Sequence, residues 1–371
     1  MPNLTDLNQD LPQIDDFKSI VINHTPLIDV RAPVEFIQGA FETSINLPLM
    51  NNEERHKVGV CYKEHGNAAA VNLGHKLVNE KVREPRVRAW SNFKHANPNA
   101  LLYCFRGGMR SKISQQWLKE AGIDIVRLKG GYKAFRRYLI EFLEAVPDEF
   151  THHGISPIVL AGRTGSGKTI VLNQVNDAID LEGLAHHRGS AFGRHATPQP
   201  TQINFENNLA MALMRFQEGN PNKLVIEDEG RNIGSVNMSK SLFDFFKSGE
   251  RIVLEAPLQE RIAITLNEYV IEAQNEYTHL IQWQEFMLAA LARIQKRLGG
   301  ERYQRVLKDF NQAMLAQQSS GEFKLHEKWI ETLLIEYYDP MYDHQMQKRQ
   351  HKVAFSGTQQ EVIDYLNSVN N

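Results

Sequence analysis

Cysteine is scarce in these 371 residues: Cys61 and Cys104 are the whole supply. Two thiols so far apart build neither a disulfide framework nor a thiolate zinc site, which points to a reducing compartment and a cytoplasmic protein. Apolar runs of about 18 residues, the length that marks a membrane helix, are missing as well. The N-terminal MPNLTDLNQDLPQIDDF is acidic and has no apolar signal-peptide core, so neither secretion nor membrane spanning is expected. Charge of one sign is not in excess either, since 42 Lys and Arg against 44 Asp and Glu leave a net −2. Any nucleic-acid surface must therefore be local. No internal repeat or low-complexity tract occurs, and the compact basic cluster QKRQHK ends at Lys352.

The length suits two domains, each able to bury its own core. In the first, PLIDV, INLPL, ALLYCF and DIVRLKG read as strands. Helical patterns lie around Val34, over Ser111–Ala121 and over Tyr132–Leu143, an alternation that predicts a parallel α/β sheet. A long helical stretch, residues 51–95, separates the second strand from the third and carries Lys81, Arg83, Arg86 and Arg88. Gly154 and Pro157 then punctuate the chain, placing the domains at 12–146 and 152–371. PIVLAG, KLVIEDE and RIVLEAP supply strands of a second α/β domain, and Leu258 to Tyr338 forms a helix-rich extension with a stop at Gly299 and Gly300.

Cys104 opens the run CFRGGMRS directly after the apolar ALLY. A thiolate at a strand end, ringed by backbone amides and a fixed cation, is suited to hold an anion and attack it. Gly107 and Gly108 permit the backbone angles that turn amides inward, and the spacing Cys, five residues, Arg curls Arg110 around a cup of oxyanion size. An ionised, accessible Cys104 facing Arg110 is the expectation. Arg106 assists the anion or forms a salt bridge to the surface; sequence leaves both open. Cys61 reads as a small apolar helix residue, with a resolving thiol as the alternative.

GRTGSGKT, Gly162 to Thr169, follows one strand and precedes a helix, the setting in which a phosphate-binding P-loop works. Gly162, Gly165 and Gly167 let the backbone wrap an anion, Lys168 supplies a point charge, and Thr169 reaches toward Mg²⁺. The loop reads phosphates, so a nucleotide and another diphosphate ester fit equally. Asp228 and Glu229, at the end of KLVIEDE, are candidates for contact with a metal or its water; capping the next segment is the plainer role. In HHRGSAFGRH, His186 and His187 lack the third spaced ligand of a zinc site, and the segment reads as a cationic loop over the phosphates.

DVRAPVEFIQGAF, with Asp29, Arg31, Glu35, Phe36, Gly39 and Ala40, resembles the first signature of the rhodanese family, and Cys104 falls where its catalytic cysteine lies. The longer Cys, five residues, Arg loop is similar to that of dual-specificity phosphatases. CFRGGMRS, YKEHGN, HRGSAFG and YYDPMY together resemble the bacterial tRNA 2-selenouridine synthases over nearly the full length. That resemblance implies a rhodanese-like domain fused to a P-loop domain. It also implies conversion of wobble 2-thiouridine to 2-selenouridine in tRNAs for Lys, Glu and Gln, by S-geranylation with geranyl diphosphate and then selenium transfer from selenophosphate.

Under that resemblance Cys104 would take up selenium as an S-selanylcysteine, Arg110 and the loop amides would hold the selenophosphate oxyanions, and the P-loop would bind the diphosphate of geranyl diphosphate. Candidate RNA contacts are Arg83, Arg86 and Arg88, the run holding Arg127, Lys129, Lys133, Arg136 and Arg137, and the C-terminal basic cluster. Two rivals remain: a sulfurtransferase or cysteine phosphatase regulated by a nucleotide-binding half, and a non-enzymatic, nucleotide-controlled RNA binder. Oligomeric state is not legible.

Overall fold

A computed structural model describes residues 11–348 and 353–369. They divide into two compact units. One runs to Glu144 and also takes in Ile203–Gly219; the other holds Ala145–Gln202 and the chain from Asn220 onward.

The first unit is built on five short strands, β1 (Gln13–Ile14), β2 (Leu27–Asp29), β3 (Ser44–Asn46), β4 (Leu101–Tyr103) and β5 (Val126–Leu128). All pair in parallel, in the order β1-β5-β4-β2-β3. Every residue of β2 and β4 is buried, as strands covered on both faces must be. The connecting helices are α1 (Phe17–Ile22), α2 (Pro33–Gln38), α3 (Asn52–Leu77), α4 (Glu80–Ala96), α5 (Met109–Glu120) and α6 (Gly131–His152), and the division between the units falls within α6. The expected parallel α/β sheet is present, with strands at the four apolar runs.

α3 starts on a reciprocal cap: Asn51 Oδ1 accepts from the Glu54 amide at 2.9 Å, and Glu54 Oε2 accepts from the Asn51 amide at 2.8 Å. Its helical course is interrupted at Gly66, where φ is 79°, a value glycine takes without steric cost.

The helix Gln202–Glu218 completes this unit. Its Ala210, Met211 and Met214 are buried in one cluster with Leu27, Phe41, Tyr103 and Phe135. Each methionine contributes about 2 kcal/mol by leaving water. Arg136 fixes the helix further, donating to Asn207 Oδ1 at 3.0 Å and pairing with Glu206.

In the second unit β6 (Ser156–Gly162), β7 (Ala178–Ile179) and β8 (Lys223–Glu227) precede a small antiparallel pair, β9 (Asn232–Ile233) with β10 (Val236–Asn237). β11 (Glu250–Leu254) and β12 (Val353–Gly357) complete a parallel sheet of order β12-β11-β6-β8-β7. Between β11 and β12 stands the helix-rich extension, whose core gathers Trp283, Phe310, Trp329 and Leu333. Its helix Leu280–Leu298 ends at Gly299, where the chain turns with φ 90°.

Candidate functional site

Cys104 leaves β4 directly, and the loop that follows leads into the amino end of α5, a position that favours bound negative charge. The loop is held from behind by backbone contacts. Tyr132 N donates to Cys104 O and Lys133 N to Phe105 O, both at 2.9 Å. Gly107 has φ 64° and Gly131 φ 60°, and a Cβ on Gly131 would lie 2.2 Å from Cys104 O and 2.5 Å from Gly107 N, so only glycine fits there. Among the described residues, no protein acceptor takes the amide hydrogens of Arg106, Gly107 or Gly108, which leaves them free for an anion.

The thiol itself is not accessible as expected. Cys104 is 3% exposed; its Sγ donates to Ser111 Oγ at 3.1 Å, and Ser111 donates in turn to Gly108 O at 3.1 Å. The Ser111 hydroxyl is thus within hydrogen-bond reach of the sulfur and, rotated, can donate to it. Arg110 differs as well. Its Nη1 and Nη2 donate to Glu35 at 2.6 and 3.1 Å, a bidentate pair that fixes the guanidinium plane and neutralises its charge. Burial works against ionisation of Glu35, but the hydrogen bonds and charge of Arg110, the Ala32 amide and Arg55 outweigh it and hold the carboxyl below its ordinary range. Arg106 is exposed, with its guanidinium 5.7 Å from the Phe105 ring centre, and makes no salt bridge among the described residues.

The signature residues Asp29 and Arg31 are buried together: Arg31 Nε donates to Asp29 Oδ2 at 2.8 Å, and Arg31 Nη2 donates to Gly39 O at 2.7 Å. They brace the end of β2. Cys61 is half-buried on α3 and, like Cys104, unbridged.

The phosphate loop leaves β6 at Gly162 and enters the helix Lys168–Leu172. Gly165 and Gly167 take φ 77° and 86°. A Cβ on Gly162 would meet Ser166 Oγ at 2.6 Å, and one on Gly165 would meet Thr265 Oγ1 at 2.5 Å. The loop bounds a cavity of about 480 Å³, whose wall also includes Glu182, Glu229, Glu268 and Arg297. Arg188, Gly189 and Ser190 of HHRGSAFGRH line it too, so the structure brings that loop to the phosphate site. Arg188 is tied down by Glu276, and Tyr269 donates to Arg188 O at 2.7 Å. His186 stacks on His195 at 4.0 Å between ring centres, while burial and the neighbouring Arg194 push the pKa of His187 down to about 4.

Asp228 and Glu229 part company. Asp228 pairs with Lys247 and lies 3.4 Å from Arg251, whereas Glu229 lines the phosphate-loop cavity together with Glu182. Burial first, then the Glu229 charge, raise the Glu182 carboxyl well above its ordinary range, with the Lys168 charge opposing. Two further features were not legible in sequence. Asp339 of YYDPMY accepts from Arg261 at 2.7 and 3.0 Å and lies 2.9 Å from Arg163, while Arg261 Nε donates to Thr164 O at 3.0 Å. That cross-brace fixes the phosphate loop. Two π-helical segments, Asn267–Glu272 and Leu334–Tyr338, also deliver lining residues, Glu268 and Tyr269 from one and Tyr337 and Tyr338 from the other.

The candidate RNA contacts are largely spoken for within the first unit. Arg83 pairs with Glu120, Arg86 with Glu54 at 2.8 Å and Arg88 with Glu84 at 2.6 Å. Arg127 is buried and donates to Gly107 O at 2.7 Å, so it supports the cysteine loop and does not face RNA. Arg136 is committed to Glu206 and Asn207, and Lys129 to Asp15 at 2.9 Å. Arg137 lies 3.1 Å from Glu141 but remains mostly exposed, as do Lys81 and Lys133. The basic run Arg349–Lys352 lies outside the described residues.

Folds and loops together define a rhodanese-like unit and a phosphate-loop unit carried on one chain. Residues 13–138 match the rhodanese-like domain family, and residues 155–371 match the AAA domain of tRNA 2-selenouridine synthase. Over 96% of this chain and 99% of the relative, it is 62% identical to a tRNA 2-selenouridine synthase of Hydrogenovibrio crunogenus. A protein of the same name from a Sulfurovum species is 51% identical over 96% of this chain and 99% of its own. The protein belongs to the tRNA 2-selenouridine synthase family, a family of enzymes. No described helix is long and apolar enough to cross a membrane.

Proposed function

We propose that this protein exchanges the sulfur of wobble 2-thiouridine for selenium in tRNAs for Lys, Glu and Gln. One observation carries the proposal: a cysteine loop and a phosphate loop occur together in a chain that aligns from end to end with tRNA 2-selenouridine synthases.

A thione sulfur leaves poorly but attacks well, so alkylation comes first. The sulfur attacks C1 of geranyl diphosphate; an S–C bond forms, the C–O bond breaks, diphosphate departs and the base gives up its ring N–H proton. Lys168 and the loop amides around Gly165 and Gly167 stabilise the charge that grows on the diphosphate. The Glu182–Glu229 pair and Thr169 present oxygen donors of the kind Mg²⁺ takes, and such an ion would add positive charge on the diphosphate.

In the second stage, S-geranyl-2-thiouridine, selenophosphate and water become 2-selenouridine, geranyl thiol and phosphate, with no net change of oxidation state. Cys104 is the soft nucleophile available to attack the phosphorus of selenophosphate. An S–P bond forms and the P–Se bond breaks, the freed selenide displaces geranyl thiolate at C2, and water cleaves the S–P bond to give phosphate. The unpaired amides beside Cys104, with Arg110 positioned by Glu35, suit the phosphoryl oxygens. Because Cys104 is buried, the loop must shift to admit the donor.

Mass spectrometry of nucleosides from thiolated tRNA tests the sequence of events. Geranyl diphosphate alone should yield S-geranyl-2-thiouridine, selenophosphate alone no product, and both together 2-selenouridine. Selenouridine formed without geranyl diphosphate would remove the alkylation stage.

A further inference from the structure

The first unit contains a second recess that neither loop accounts for. A cavity of about 510 Å³ lies between α3 and the start of α5. Its inner wall includes Leu49, Met50, Val78 and Trp117, and these four pack in the same apolar cluster as Cys104. Met109 and Arg110, at the end of the cysteine loop, line it as well. The outer wall is α3, and of its 26 residues only Ala70 is buried. The helical segments on either side of Gly66 would each ordinarily pack an apolar stripe against the core. Here Val60 and Tyr62 line the cavity and are 39% and 59% exposed.

The charge of the lining is one-sided. Arg55 and Lys63 contribute exposed cations and no Asp or Glu lines the cavity, while Arg110, at its inner end, is paired with Glu35, which also lies 3.8 Å from Arg55. An apolar chamber with a basic margin at Arg55 and Lys63 is complementary to an apolar chain attached to a polyanion. An uncharged lipid or an apolar peptide would match the chamber but not the margin.

We propose that this cavity holds the isoprenyl chain of the S-alkylated base while the RNA backbone meets the basic margin. The chain is thereby anchored against the apolar cluster that contains Cys104, with the C2–S bond at the cysteine loop for the selenium stage. This rests on the alkylation stage proposed above, and it adds a binding site to the unit that carries the thiol.

The test uses the full-length protein and anticodon stem-loops carrying either S-geranyl- or S-methyl-2-thiouridine. Burial of the longer chain should make the parent protein bind the geranylated RNA at least about tenfold more tightly than the methylated one. A Cβ at Gly59, which lines the cavity, meets no atom within 4 Å, so Gly59→Trp can fill the space without displacing the core. G59W is expected to bring the affinity ratio to about one with an unchanged thermal midpoint; Gly59→Leu, a smaller filler, serves if the tryptophan variant does not fold. A filled variant that keeps the parent's ratio, or a parent with no preference for the longer chain, overturns the cavity assignment. Formation of S-geranyl-2-thiouridine by the parent, followed in the same preparation, separates that result from failure of the alkylation stage itself.

Discussion

The two loops solve opposite problems. In the first unit the Cys104 sulfur is covered and hydrogen-bonded to Ser111, and Arg110 is paired with Glu35. In the second the loop borders an open cavity whose wall leaves Lys168 facing the carboxyl groups of Glu182 and Glu268. A thiol is vulnerable to oxidation and gains from being covered between turnovers. A phosphate loop, by contrast, must be ready for a highly charged ligand, and rigid bracing from outside keeps its amides aimed before the ligand arrives.

Substitutions can break this division of labour. The largest effect is expected for Cys104→Ala, which should abolish selenium insertion while S-geranylated RNA accumulates, seen by nucleoside mass spectrometry. Lys168→Ala should do the reverse, slowing alkylation about a thousandfold in single-turnover assays and sparing selenium insertion into RNA that is already geranylated. Loss of both activities in either variant would show that the two loops do not act on separate stages.

Asp339→Ala sharpens the contrast in bracing. It strips Arg261, whose side chain is 5% exposed, of its carboxylate and should cost about 3 kcal/mol in denaturant unfolding. Glu35→Gln is the milder counterpart in the first unit, about 2 kcal/mol at neutral pH. Because the folded-state pKa of Glu35 is lowered, its contribution is present above the unfolded value of about 4.3 and fades as pH falls through the folded one. The stability gap between parent and E35Q should therefore close in acid; a gap that persists there would mean the pair is not ionic.

Local pattern was enough to find what local pattern creates. The apolar runs before Cys104 and Gly162 became β4 and β6, and Gly107, Gly162, Gly165 and Gly167 stand where left-handed or crowded backbone requires them. Gly108, with φ −88° and no atom within 4 Å of an added Cβ, does not need to be glycine. Pairings across long separations were hidden. Nothing near Arg110 announces Glu35, 75 residues earlier, and nothing in GRTGSGKT points to Asp339. Charge runs misled for the same reason: Arg127 and Arg136 look like RNA contacts until the fold supplies Gly107 O and Glu206. The helix Gln202–Glu218 lies beyond the sequence boundary placed near residue 150, and nothing local shows that it covers the first core.

That helix has a bearing on how the chain can be made. Its residues are translated after the phosphate loop, yet Met211 and Met214 close the apolar cluster around Phe41 and Phe135. During synthesis the earlier unit must wait, with that cluster uncovered, until Gly219 has cleared the ribosome, so chaperone demand should peak in this interval. A gene truncated near residue 150 would leave the same gap permanently; a fragment meant to isolate the thiol chemistry needs the helix grafted back.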